Sequence, residues 1–324
     1  MGVSNDNAEE VLRTNEKKDR VCGVKIFMGS STGNMLVDNF VTLNKIFSGT
    51  ELLIATHCED EKIIRDNMEQ FKRNKGDNLT AADHPLIRNE EACFESSFTA
   101  IQLAKKYDSR LHILHISTEK ELQLFSNMLP LAEKRITAEV CVHHLWFSAD
   151  DYAQYGNLIK CNPAIKAPKH REALWKALND DRTDIIATDH APHTWDEKQQ
   201  AYLQSPSGVP LVQHSVLMML EAVKQGRMTI EKMVAKMSHA PAICFQIKER
   251  GYVREGYFAD VVIADLNAAT KVSKENIYYH CGWSPFEGQT FNSAITHTFV
   301  NGHLAYENGV FNESERGRRI TFAR

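Results

Sequence analysis

Short apolar, β-branched runs alternate with amphipathic stretches along most of the chain. Runs at 24–28 (VKIFM), 52–56 (LLIAT), 111–116 (LHILHI), 136–142 (ITAEVCV) and 184–188 (DIIAT) predict strands. Between them, apolar residues recur at helical spacing over 90–107, 120–129 and 169–178, and two more helices are predicted over 213–224 and 230–236. Strands alternating with helices in this way predict parallel βα units. After Gly251 the texture changes: 258–265, 293–300 and 303–306 read as strands, with turns at Asn301-Gly302 and Asn308-Gly309. The expected division is an α/β part over residues 1–250 and a small β unit with the C-terminal tail over 251–324. A closed (β/α)8 barrel needs eight strands. Five are legible, and the residues before the first leave room for one more, near positions 2–5. The expected fold class is therefore α/β, a TIM-type barrel that is incomplete, with five or six of its eight strands.

Composition narrows the partners. The chain has 324 residues, 43% hydrophobic and 25% charged, with 38 Lys plus Arg against 42 Asp plus Glu. Such a mix builds a globular core, and it lacks the basic excess that a nucleic-acid partner would call for. No run approaches the roughly 18 apolar residues of a membrane span. The first residues are polar and acidic, where a signal peptide would be basic and then apolar. The seven cysteines are scattered and form no CxxC pair, so reduced thiols and a cytoplasmic location are expected. Histidine is the unusual component, with 14 residues.

In βα folds the chemistry sits at the C-terminal ends of strands. The first strand carries Lys25 and leads into Gly29-Ser30-Ser31-Thr32-Gly33. The next four end in His57-Cys58-Glu59-Asp60, His115-Ile116-Ser117-Thr118, His143-His144 and Asp189-His190-Ala191-Pro192-His193. Lys, His, His and Asp at successive strand ends suit a metal hydrolase, because neutral imidazoles bind zinc and a carboxylate completes the set or acts as base. A strand lysine would repel a metal as an ammonium. As a carbamate formed with carbon dioxide it becomes an anion able to bridge two cations; unmodified, Lys25 needs a carboxylate partner. His143-His144 reads as packing or loop support, with metal binding as the alternative. The segment 29–33 also fits G-x-S-x-G, the turn that presents a nucleophilic serine in α/β-hydrolases. That reading leaves Lys25, His57 and His115 without roles.

The segments GVKIFMGSSTGNML, ATHCEDE, LHILHIST, IKCNPAIK, ATDHAPH and CGWSPFEG resemble dihydroorotase. More broadly they are similar to the cyclic amidohydrolases, which include hydantoinase and allantoinase. The resemblance implies a (β/α)8 barrel with a small β-sandwich. It also implies the reversible cyclisation of N-carbamoyl-L-aspartate to dihydroorotate in pyrimidine biosynthesis, with two zinc ions in the intact family. By motif, Lys25 resembles the carboxylated lysine that bridges the zincs, and His57 and His115 resemble the histidines of the second zinc. Asp189 resembles the carboxylate that touches the first zinc and carries the proton. Asn162, His193, Ser207 and Gly208 resemble substrate-binding residues.

The departure from the family pattern is equally specific. No His-x-His occurs anywhere in the sequence, whereas the family opens its barrel with Asp-x-His-x-His and an Arg that grips the substrate carboxylate. The chain thus looks like a dihydroorotase that begins at an internal methionine. It is expected to bind one zinc or fewer tightly and to turn over slowly alone. The partners this implies are a small-molecule substrate, a second copy in a homodimer, a complementing N-terminal fragment, or aspartate transcarbamoylase for a non-catalytic relative.

Overall fold

The computed structural model describes residues 1–29 and 35–324. Ser30–Gly33 of the G-x-S-x-G segment lie outside the described residues. Five parallel strands, β1 (Val24–Phe27), β2 (Ile54–His57), β3 (Leu111–Ile113), β4 (Ile136–Cys141) and β5 (Ile185–Ala187), form one sheet in sequence order. Four lie within segments predicted from their β-branched runs, and β2 runs one residue past its segment, to His57. Beyond β1 the chain start adds a further pairing: Lys25 N–H donates to Met1 O at 2.8 Å and Val3 N–H to Lys25 O at 2.9 Å. That is the extra strand position the sequence left room for. Beyond β5, Val209 bridges His190 in parallel. The parallel sheet with its helices is the incomplete TIM-type barrel expected.

Register decides which residues share a face. Lys25 pairs with Ala55, Ala55 with His112, and His112 with Thr137, so these four form one row. Alternation places Phe27, His57, Glu139 and Cys141 on that same face. The opposite face carries Val24, Ile26, Ile54, Leu111, Ile113, Ala138 and Val140, all fully buried. It joins one core with Leu43, Ile46, Phe47, Ala100, Ile101, Ala104, Leu174 and Leu178 of the covering helices. Burying this apolar face against helices drives the fold. The other face is left to polar chemistry.

The covering helices start where the sequence supplies caps. Asn39, Asp60 and Asn89 each accept a backbone N–H at the starts of helices Phe40–Gly49, Glu61–Lys75 and Glu90–Tyr107. Helix Pro168–Asn179 opens with proline in its first turn, where the missing N–H costs nothing. The helix predicted over 120–129 is instead a short 3-10 turn, Glu121–Leu124. Its cause is local: Glu121 turns inward to accept from the hydroxyls of Ser97 and Thr118, both at 2.8 Å, and Met128 and Leu129 are left exposed.

The C-terminal segment builds an antiparallel sheet. Strands β6 (Val261–Asp265), β9 (Ala294–Val300), β10 (His303–Glu307) and β11 (Val310–Phe311) lie in the order β11-β10-β9-β6, and β7 (Thr270–Lys271) pairs with β8 (Thr290–Phe291). Phe286 stacks on Phe147 at 5.7 Å and meets Trp146 and His214 edge-on, tying this segment to the α/β part.

Candidate metal and substrate site

Two imidazoles face each other where β2 and β3 end. His57 Nδ1 and His115 Nε2 are 2.9 Å apart, and both side chains are buried. The other nitrogen of His57, Nε2, donates to Glu59 at 2.9 Å. Glu59 is itself fully buried and clamped by Arg88, whose Nη2 donates at 2.6 Å and Nε at 3.0 and 3.2 Å. Burial pushes the Glu59 carboxyl up, but the Arg88 guanidinium and then the His57 imidazole outweigh it and hold the group well below the usual carboxylate range. Glu59 therefore stays an anion and fixes the His57 tautomer, turning the Nδ1 lone pair toward His115 Nε2.

Burial lowers the pKa of both histidines, His115 far below its ordinary value, with Lys25 adding to the effect. Both rings are thus neutral near pH 7 and able to ligate. His115 and Asp189 also share a backbone feature, left-handed φ values of 40° and 44° just after β3 and β5. Non-glycine residues seldom adopt this conformation, and it clusters at functional sites.

Lys25 lies on the same face. Its Nζ sits 4.4 Å above the Phe27 ring and has no hydrogen-bond or ion-pair partner among the described residues. Burial lowers its pKa, while Asp189 and Glu139 oppose the shift. A more readily neutral amine is the form that adds carbon dioxide. Asp189 moves the other way: burial, then the Glu139 carboxylate, push it up to about 6 against the pull of Lys25. Two facing imidazole nitrogens, an amine without an acceptor and a carboxylate of raised pKa make a donor set that fits a transition-metal cation.

The four residues expected to contact substrate lie together on a neighbouring surface. Asn162 and Ser207 line a cleft of about 210 Å³ with His84, Arg88, Lys160 and Tyr202. His193 Nε2 donates to Ser207 O at 3.2 Å, and its carbonyl accepts from Trp283 Nε1 at 2.8 Å. Gly208 has φ +149°, and a Cβ there would lie 2.3 Å from Ala191 O, so only glycine lets the two segments approach.

Two buried ammoniums hold this loop. Lys198 Nζ donates to Lys160 O, Pro206 O and Gly208 O at 3.1, 2.9 and 2.9 Å. Lys160 Nζ donates to Tyr202 O and Ser205 O at 2.7 and 2.6 Å. The polar stretch 194–206 therefore carries its own anchor. Lys198→Met is expected to release it, with a stability loss of about 1.5–3 kcal/mol in denaturant melts and faster proteolytic cutting between residues 199 and 208.

Several of these partners carry no role in the sequence reading. Glu59 and Arg88 are 29 residues apart and follow no periodic pattern. His84, which reads as a surface or structural histidine, is buried and bonds Tyr202, Cys161 O and Asn162. Glu139 was detectable in principle, since Thr137, Glu139 and Cys141 alternate on the polar face of β4. A larger cleft, about 840 Å³, lies elsewhere, at the N-terminal strand ends around Lys134 and Asp184.

Comparison with known proteins bears on the family and the fold. The sequence profile of the amidohydrolase family matches residues 43–305. The chain belongs to the amidohydrolase family. This amidohydrolase is 30% identical to a dihydroorotase of Methanosphaera stadtmanae over 295 residues, covering 90% of this chain and 66% of that protein. It is 31% identical to one of Pyrococcus horikoshii over 296 residues, covering 91% of this chain and 63% of that protein. The chain thus spans just under two thirds of the length of these curated relatives. Among solved structures, an L-hydantoinase (dihydropyrimidinase) from Arthrobacter aurescens superposes with a TM-score of 0.90 at 25% identity, covering 99% of this amidohydrolase and 72% of that chain. An inactive dihydroorotase-like domain of a CAD-like multifunctional protein from Chaetomium thermophilum shares the fold, with a TM-score of 0.63 at 18% identity, covering 97% and 74%. Among the described residues, no helix of this amidohydrolase is long and apolar enough to cross a membrane.

Proposed function

We propose that this chain carries the greater part of a zinc-dependent cyclic amidase site of dihydroorotase type, acting in pyrimidine biosynthesis in the cytoplasm. The observation that carries the reading is the His57–His115 pair at 2.9 Å, with Glu59 and Arg88 fixing its tautomer. Its support from relatives is the similarity to the dihydroorotases described above.

His57 Nδ1 and His115 Nε2 would hold one zinc, and Lys25 as a carbamate, with Asp189, would reach toward a second. Bound zinc would polarise the ring amide carbonyl and lower the pKa of water to about 7. Asp189 takes the proton of the attacking water and gives it to the leaving ring nitrogen; in cyclisation it removes the proton from the attacking nitrogen. A carboxyl with a pKa of about 6 suits both halves of that transfer near neutrality. Asn162, His193 and the backbone of Ser207 and Gly208 hold the ring. Arg88 and Lys160 make the adjoining cleft cationic, which suits a substrate bearing a carboxylate.

Without His-x-His the zinc on the Asp189 side lacks its histidines. The zinc-loaded chain is therefore expected to open dihydroorotate slowly by itself. It should do so at least about 10²-fold faster with a supplied polypeptide carrying Asp-x-His-x-His, an effect of the size one catalytic group supplies. Hydantoin and dihydrouracil serve as competing substrates. Zinc content lost in the His57→Ala, His115→Ala double variant should be one ion or less per chain. Full turnover by the chain alone, with two zincs lost in the double variant, would overturn the incomplete-site reading. No ring opening of any substrate with the supplied strand would overturn the amidase reading.

A further inference from the structure

A second group of ligating side chains lies at the end of β4, outside the set just described. Cys141 closes the strand, and the helix Val142–Trp146 follows at once, carrying His143 and His144. All three residues are buried, with relative exposures of 0%, 1% and 3%. One donor atom from each, the Cys141 Sγ and one imidazole nitrogen from each histidine, fall within 4.8 Å of one another. The rings of His143 and His144 are 4.2 Å apart and tilted by 42°.

The hydrogen bonding of this group is incomplete. Neither ring nitrogen of His143 has a partner; the backbone of Thr188 faces it without reaching hydrogen-bond geometry. His144 Nε2 donates to Pro163 O at 3.0 Å, which fixes its tautomer and leaves Nδ1 as a bare lone pair, also without a partner. A buried polar atom left unsatisfied costs about 1–3 kcal/mol. One lone pair from each ring beside a thiol therefore calls for a guest that accepts lone pairs. An apolar guest would leave the cost in place.

The donor chemistry selects the guest. One sulfur and two imidazole nitrogens form a borderline-soft set suited to zinc or cobalt, not to magnesium or calcium, which take oxygen ligands. We infer that Cys141, His143 and His144 bind a divalent transition metal of the zinc type, at a site separate from the His57–His115 pair. Entry of the ion exchanges the thiol proton for the metal: Cys141–SH and M²⁺ give a Cys141–S–M bond and one released H⁺. The three protein ligands leave one tetrahedral position for water or an exogenous ligand.

Cobalt tests this directly, because the cyclic-amidase ligands include no sulfur. Co²⁺ titrated into the full chain should produce a sulfur-to-cobalt charge-transfer band that saturates at one ion per chain. The band should persist in His57→Ala, vanish in Cys141→Ser and weaken at least tenfold in apparent affinity in His143→Gln. Zinc-edge X-ray absorption of the unaltered protein should show sulfur at about 2.3 Å, which requires no variant to fold. A saturated cobalt complex without the band, a band surviving in Cys141→Ser, or a zinc shell of nitrogen and oxygen alone would overturn the site. None of these readouts depends on ring-opening activity, so the cyclic-amidase reading can fail while this site stands, and the reverse.

Discussion

Arg88→Met is expected to destabilise the protein by about 3–5 kcal/mol, the largest loss from any one substitution near the site. Glu59 has no exposed side-chain surface, and its charge is compensated by Arg88 and by the His57 N–H. Removing the guanidinium leaves a carboxylate in a medium that cannot solvate it. The carboxyl would then take up a proton, and as a neutral acid it would no longer hold the His57 tautomer. Two consequences separate this from a simple packing defect. The stability loss should be largest at high pH and shrink at low pH, because the unpaired carboxyl gains its proton more easily in acid. Zinc affinity at the His57–His115 pair should fall by about 10–100-fold, as for lost partners of ligating histidines. Chemical denaturation at pH 5 and pH 8, with zinc titration at pH 8, reads both. Equal losses at the two pH values, with unchanged zinc affinity, would show that Arg88 only fills space.

Asp189→Asn should do the opposite to stability. The carboxyl's folded-state pKa of about 6 is above its ordinary 3.8, so the fold favours the protonated form. Below pH 3.8 that preference costs nothing. Between pH 3.8 and about 6 the folded state binds more protons than the unfolded state, and stability falls as pH rises. Above about 6 the cost of the crowded anion is present, held to about 1 kcal/mol because Asp189 is exposed and solvent screens its charge. Asparagine removes the charge. The metal-free variant should therefore gain about 1 kcal/mol at pH 8 and almost nothing at pH 3.5. Any ring opening, alone or with the supplied strand, should drop about 10²–10⁴-fold with the loss of the proton carrier. A variant no more stable at pH 8 than the parent would mean that Asp189 does not suffer from crowding and from Glu139 in the way the geometry implies.

The sequence carried the strands more completely than their supporting partners. A β-branched run between turn residues has a local cause, so β1 to β5 could be read directly, and with them the positions of Lys25, His57, His115 and Asp189 at strand ends. The stretch 120–129 misled because its apolar spacing suits a helix, while the inward-turned Glu121 and its two hydroxyl partners leave a 3-10 turn there. Glu59 and Arg88 escaped for a different reason. A buried ion pair between a strand end and the end of a short helix, His84–Ile87, 29 residues later leaves no periodic trace in the sequence. His84 was masked by its polar surroundings, DHP, and only folding brings Tyr202 and Asn162 against it. Lys198 looks like one more solvated charge, yet it is 1% exposed and joined to three carbonyls.

The left-handed backbone at His115 and Asp189 has a consequence for altering this protein. With the main chain turned at both positions, the aim of each donor group is set largely by φ and ψ, and less by rotamer choice. A library that exchanges side chains at 115 and 189 should keep the pocket's shape across many members, with asparagine tolerated best. An insertion or deletion of one residue ahead of either would send the group to the opposite face of the sheet, so the two positions tolerate changes of chemistry far better than changes of loop length.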